Sequence, residues 1–130
     1  NYTKVINIEA LTMIDMAKKE ILPAGIEFTK ELCDTISSKK SIGLKGGAEE
    51  KLAERLSFLT DKLLHEIETL EEKANKAKDI SDSLKLAEFC RDEIIPSMNE
   101  MRLSADEMET IVPEKLWPFP TYGELLFGVQ

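Results

Sequence analysis

The chain is poor in the residues that punctuate or cross-link a fold. Its 130 residues hold six glycines, five prolines, two cysteines, one histidine and one tryptophan. So little glycine and proline argues against an all-β fold, which needs frequent turns. The two cysteines, Cys33 and Cys90, form no CxxC and no disulfide framework. The plain reading is a pair of buried free thiols in a cytoplasmic protein. One histidine is too few for the common metal motifs. His65 lies in "LLHEIE", where HExxH would need histidine in place of Thr69. A di-iron Glu-x-x-His motif would need glutamate in place of Lys62. No metal site is predicted, and His65 is read as a surface or edge residue. No apolar run approaches the ~20 residues of a membrane span. Positive charge is also short: 17 Lys and Arg stand against 25 Asp and Glu, a formal net charge of −8. That balance sets the chain against nucleic acid and anionic membrane surfaces. The opening "NYTKVINIEA" has neither signal-peptide architecture nor an initiator methionine, which suggests a fragment or processed product.

What is present is helical patterning. Hydrophobic residues make up 42% of the chain, enough for one core, and charged residues 32%, which suits long solvated helices. In the first segment Leu11, Ile14, Ile21, Phe28, Leu32 and Ile36 recur at helical spacings, predicting a helix over about 7–38. Pro23 falls inside it and predicts a kink or a break. "SSKKSIGLKGG", Ser37 to Gly47, interrupts the pattern as a flexible connector. Its "GLKGG" lacks P-loop spacing and follows no strand.

The second segment is the most regular. Leu52, Leu56, Leu59, Leu63, Ile67, Leu70, Ala74 and Ala77 step by four or three, predicting a helix over 48–78 with a narrow core stripe. Its other positions are mostly Glu and Lys and read as a solvated face. A third helix is predicted over 80–103, capped near Asp79 or Ser81. Its stripe is Ile80, Leu84, Ala87, Ile94, Met98, Met101 and Met108, interrupted by Arg91, with Pro96 inside. Ser104 and Glu107 have capping-box spacing, which predicts a short fourth helix over 105–112. The expected architecture is all-α: an up-down-up bundle of three long helices within 1–112, followed by a non-helical tail over 113–130.

"KKEILPA", Lys18 to Ala24, is echoed by "RDEIIPS", Arg91 to Ser97. Duplication and chance similarity between amphipathic helices both account for it. In an up-down-up bundle the first and third helices run parallel, so the echo predicts two proline kinks at one level. The same register places Cys33 and Cys90 roughly 24 Å apart along the bundle, too far for a disulfide.

No catalytic, cofactor-binding or metal-binding residue is predicted. GxSxG, Rossmann and Walker motifs are absent from the sequence. Carboxylates are abundant, but "EE" at 49–50 and "LEEK" at 70–73 are helix-surface patterns. The methionines Met13, Met16, Met98, Met101 and Met108 fit a core at helical spacing, or an adaptable binding surface. The candidate structural residues are Leu52, Leu56, Leu59 and Leu63 on the central stripe, and Trp117, Phe119, Tyr122 and Phe127 in the tail.

That tail, "EKLWPFPTYGELLFGVQ", holds half of the aromatic side chains and two prolines, Pro118 and Pro120, with Pro113 just ahead of it. The stretch from Arg91, "RDEIIPSMNEMRLSADEMETIVPEKLWPFPTYGELLF", resembles the extreme C-terminus of type III glutamine synthetases. The shared elements are Trp117-Pro118-Phe119-Pro120-Thr121-Tyr122 and, beyond them, Leu125, Leu126 and Phe127. The opening "INIEALTMIDMAKKEILPA" resembles the helix after that family's catalytic domain. The resemblance implies a C-terminal domain of a nitrogen-metabolism ligase that joins ammonia to glutamate with ATP and divalent metal, magnesium or manganese. It implies packing on an upstream catalytic domain and on neighbouring subunits of a dodecamer, with the catalytic residues elsewhere. The alternative reading is a free-standing helical interaction module.

Overall fold

The computed structural model describes residues 2–119. Their architecture is three antiparallel rods, with no strand among the described residues. The first rod joins α1 (Tyr2–Met16) to α2 (Leu22–Ser41) through a π-helical turn, Ala17–Ile21. The second rod is α3 (Ala48–Lys78), unbroken over 31 residues. The third joins α4 (Ser83–Phe89) to α5 (Ile95–Glu109) through a second π turn, Cys90–Ile94.

The two π turns are the structural answer to the two prolines. Proline inside an α-helix lacks the N–H for the ladder, and its ring collides with the carbonyl four residues back. Here the helix widens just ahead of each proline. The Leu22 N–H donates to the Ala17 carbonyl five residues back, and the Ile95 N–H to Cys90 in the same way. Neither a break nor a helix end results, and the "KKEILPA" echo is matched by an echo in backbone form.

The predicted common level of the two prolines is not observed. Asn7 lines one small cavity with Cys90, and a side chain added at Gly25 would meet Met108. The third rod is thus displaced by about ten residues, roughly 15 Å of helical rise, from the register of the echo. Lateral polar contacts tie both outer rods to α3, including Lys18–Glu71 at 2.9 Å and Arg55–Glu107 at 2.7 Å. Both cysteines are free thiols, but only Cys90 is buried, and Cys33 is exposed.

The connector is a defined helix stop. The Gly43 N–H donates to Lys40, the Leu44 N–H donates to Lys39, and Gly43 has φ +84°, which together form a Schellman motif. Lys39 and Lys40 at the end of α2 pair with Glu49 and Glu50 in the first turn of α3, at 2.8 and 2.6 Å. Each charge suits the dipole of its own helix end.

The core runs along α3. Leu56, Leu63, Ile67 and Leu70 are fully buried against Ala10, Ile14 and Leu32 of the first rod and Ile94, Met98, Met101 and Met108 of the third. Two expectations for the third rod are corrected. Its N-cap is Asp82, whose carboxylate accepts from the Lys85 N–H, rather than Asp79 or Ser81. No short helix starts at Ser104, which lies buried inside α5, and residues 110–112 form a turn. Upstream of the second π turn the inward face shifts, because that turn takes more residues than an α turn. Leu86 and Cys90 therefore face the core, while Leu84 and Ala87 are exposed.

Candidate interaction surface

Two seams join the third rod to the others, one polar and one apolar. In the polar seam Lys62 of α3 donates to Glu66 at 2.8 Å and reaches across to Ser104 at 3.0 Å. About three turns further along α3 Lys73 donates to Ser97 at 2.9 Å and pairs with Glu93 at 3.3 Å. The Glu66 hydrogen bond raises the Lys62 ammonium above its ordinary value. Between these crossings, His65, Thr69 and Glu100 line a shallow cleft with Glu66. The second oxygen of Glu66, Oε1, is buried without a hydrogen-bond partner among the described residues. The seam spaces and aligns two helices. It does not converge titratable groups on one point, and no three His, Cys, Asp or Glu are grouped to hold a metal among the described residues. Cys90 is equally unsuited to chemistry, since burial pushes its thiol up, away from the reactive thiolate.

The apolar seam is a groove of about 420 Å³ between α1, the first π turn and α5. Met13, Met16 and Ile21 form one wall, Met98 and Met101 the other, and Leu63 the floor. The methionines divide between core and rim. Met98, Met101 and Met108 are core, whereas Met16 is exposed at the rim. Beyond the rim the apolar surface continues over the outer side of α1, through Val5, Ile8 and Leu11, which are 50%, 63% and 47% exposed.

Of the candidate residues on the central stripe, Leu56, Leu59 and Leu63 are buried and Leu52 is not. Arg55 already pairs with Glu107, in the last turn of α5, so the third rod offers little cover at the height of Leu52. Leu11 likewise faces out, and Ala10 takes the buried position beside it. Trp117 is 9% exposed and joins the core cluster, with the partly buried Phe119 edge-on to it at 6.5 Å between ring centroids. Tyr122 and Phe127 lie outside the described residues. Sequence reasoning missed the outer face of α1. The available signal was its composition, three charged side chains in fifteen residues.

A family model described as the glutamine synthetase C-terminal domain matches residues 1–40. A glutamine synthetase from Butyrivibrio fibrisolvens is 33% identical over 133 residues and covers 100% of this chain. By sequence the chain falls among glutamine synthetase C-terminal domains. A type-3 glutamine synthetase from Dictyostelium discoideum is 31% identical over 97% of the chain. A glutamine synthetase from Bacteroides fragilis is 24% identical, also over 97%. This domain spans 19%, 18% and 18% of those synthetases' own lengths. No solved structure matches the chain. The divalent metal that the synthetase family implies finds no fitting set of ligands among the described residues of the domain.

Proposed function

We propose that this chain is the structural C-terminal domain of a type III glutamine synthetase subunit, inactive alone. In this reading the parent joins ammonia to glutamate with ATP and magnesium or manganese, in the cytoplasm, through residues in an upstream catalytic domain. The helical domain packs on that catalytic domain and contributes to contacts between subunits of a dodecamer. Residues 1–112 are the bundle, and 113–130 are a strap covering the bundle or the catalytic domain. The observation that carries the reading is whole-length similarity to synthetases of which this chain spans 19% or less. Two measurements test it. The coding sequence upstream of Asn1 should continue into a ligase domain, and a start codon at Asn1 sinks the reading in favour of a free-standing interaction module. The isolated chain should form no glutamine from glutamate, ammonia and ATP, and measurable turnover would overturn the claim of inactivity.

A further inference from the structure

A helix on the surface of an isolated domain is normally apolar on one side only, and one that is apolar all round belongs in the interior of something larger. α1 leans toward the second kind, with aliphatic side chains on both sides and exposed polar ones at Lys4, Glu9, Thr12 and Asp15. Its inner side carries Ala10 and Ile14 into the core. Its outer side carries Val5, Ile8 and Leu11 into solvent, with Tyr2 and Met16 at its ends. Among its fifteen residues only Lys4, Glu9 and Asp15 are charged. Depletion of charge at the centre of an apolar patch marks interface cores rather than ordinary surface. The methionine-lined groove opens beside this face, and flexible thioethers adapt to an incoming surface.

We infer that the outer face of α1 and the adjoining groove are the docking face for the rest of the synthetase polypeptide, whose contacting surface is apolar. This rests on the reading of the chain as a synthetase domain. Two observations favour that occupant over a second copy of the domain. The stretch that the C-terminal-domain family model matches, residues 1–40, contains the whole of α1. The chain spans 19% or less of these relatives' lengths, so most of such a polypeptide is available to cover α1. A second copy would also bring another net charge of −8 against the first.

The test is cysteine labelling in the intact polypeptide. Ile8→Cys and Leu11→Cys are compared with Glu68→Cys and Asn75→Cys on the outer side of α3. Maleimide modification is read at each introduced position by peptide mass spectrometry. Positions 8 and 11 should label at least tenfold more slowly than 68 and 75, at every protein concentration. Equal rates at all four positions overturn the inference while leaving the synthetase reading intact. Protection at 8 and 11 that disappears on dilution assigns the face to a second copy and overturns the chosen occupant. An upstream coding sequence without a ligase domain removes the reading itself, and the inference with it.

Discussion

α1 and α3 meet in the same core and differ on the side that faces away from it. α3 has fourteen charged side chains in 31 residues, and between them lies a stripe of leucines. α1 has three in fifteen, and Val5, Ile8 and Leu11 stand among its outward positions. A charged outer face is complete in water. An aliphatic one leaves apolar area exposed that burial would stabilise by about 25 cal/mol per Å². The inner face of a helix therefore reports the fold of its own domain, and the outer face reports the surroundings in which that domain works.

The largest effects should come from side chains buried on every side. Trp117→Ala should cost about 3–5 kcal/mol, because the indole joins the core at the end of the third rod. A denaturation midpoint unchanged from the parent chain would mean that the ring gains nothing from the bundle. Leu63→Ala, at the centre of α3 and fully buried, should cost about 2–5 kcal/mol by the same measurement. Gly25→Ala sets two terms against each other. Alanine favours a helix by about 1 kcal/mol over glycine. Its Cβ, however, would lie 2.5 Å from the Met108 methyl and 2.9 Å from Thr60 Oγ1. Thr60 is itself tied to the Leu56 carbonyl at 2.7 Å. Overpacking of this kind costs about 1–3 kcal/mol, so net destabilisation of about 1 kcal/mol is expected from urea titration. A more stable variant would show that the rods separate easily there.

Ile8→Ala is the direct contrast to Leu63→Ala. On the outer face of α1 it should change the stability of this chain by no more than about 0.5 kcal/mol. A loss comparable to that at Leu63 would show that the two faces of α1 are not distinct. The smallest effect concerns the helix stop. The hydrogen bond from the Lys39 ammonium holds the Glu49 carboxyl below its ordinary value. A carboxyl depressed in the folded state contributes stability that is complete above the unfolded value and lost as pH falls through the folded one. Lys39→Gln should therefore flatten the acid limb of the stability profile and leave the slope near neutral pH unchanged. An identical acid limb in parent and variant would remove the pair from the account.

The sequence showed most where packing is regular. α3 was legible at both ends because its stripe steps evenly from Leu56 to Ala77 and glycine precedes it. The three-rod arrangement followed from the three apolar stripes and from the connector between the first two. The prolines misled, because a π turn depends on bonds five residues apart, and no residue type announces them. The face of the third rod was misread upstream of Cys90 for that reason, and the stagger of the rods went unseen. Ser104 has the spacing of a cap, yet it is held inside α5 by Lys62, a contact 42 positions away in sequence. Leu52 fits its own helix perfectly well, but whether a third helix extends far enough to cover it is not a local property. In the tail, Trp117 and Phe119 were readable as apolar anchors, and Tyr122 and Phe127 stand outside the described residues.

The stagger of the two π turns also bears on mechanics. A widened turn is a compliant point, where a rod bends with the least resistance. Had both turns stood at one height, the bundle would have had a hinge plane crossed only by α3. Displaced as they are, each compliant point is splinted by α3 and by regular helix in the opposite rod. No height of the bundle therefore carries two widened turns, and bending at either one is opposed by regular helix beside it.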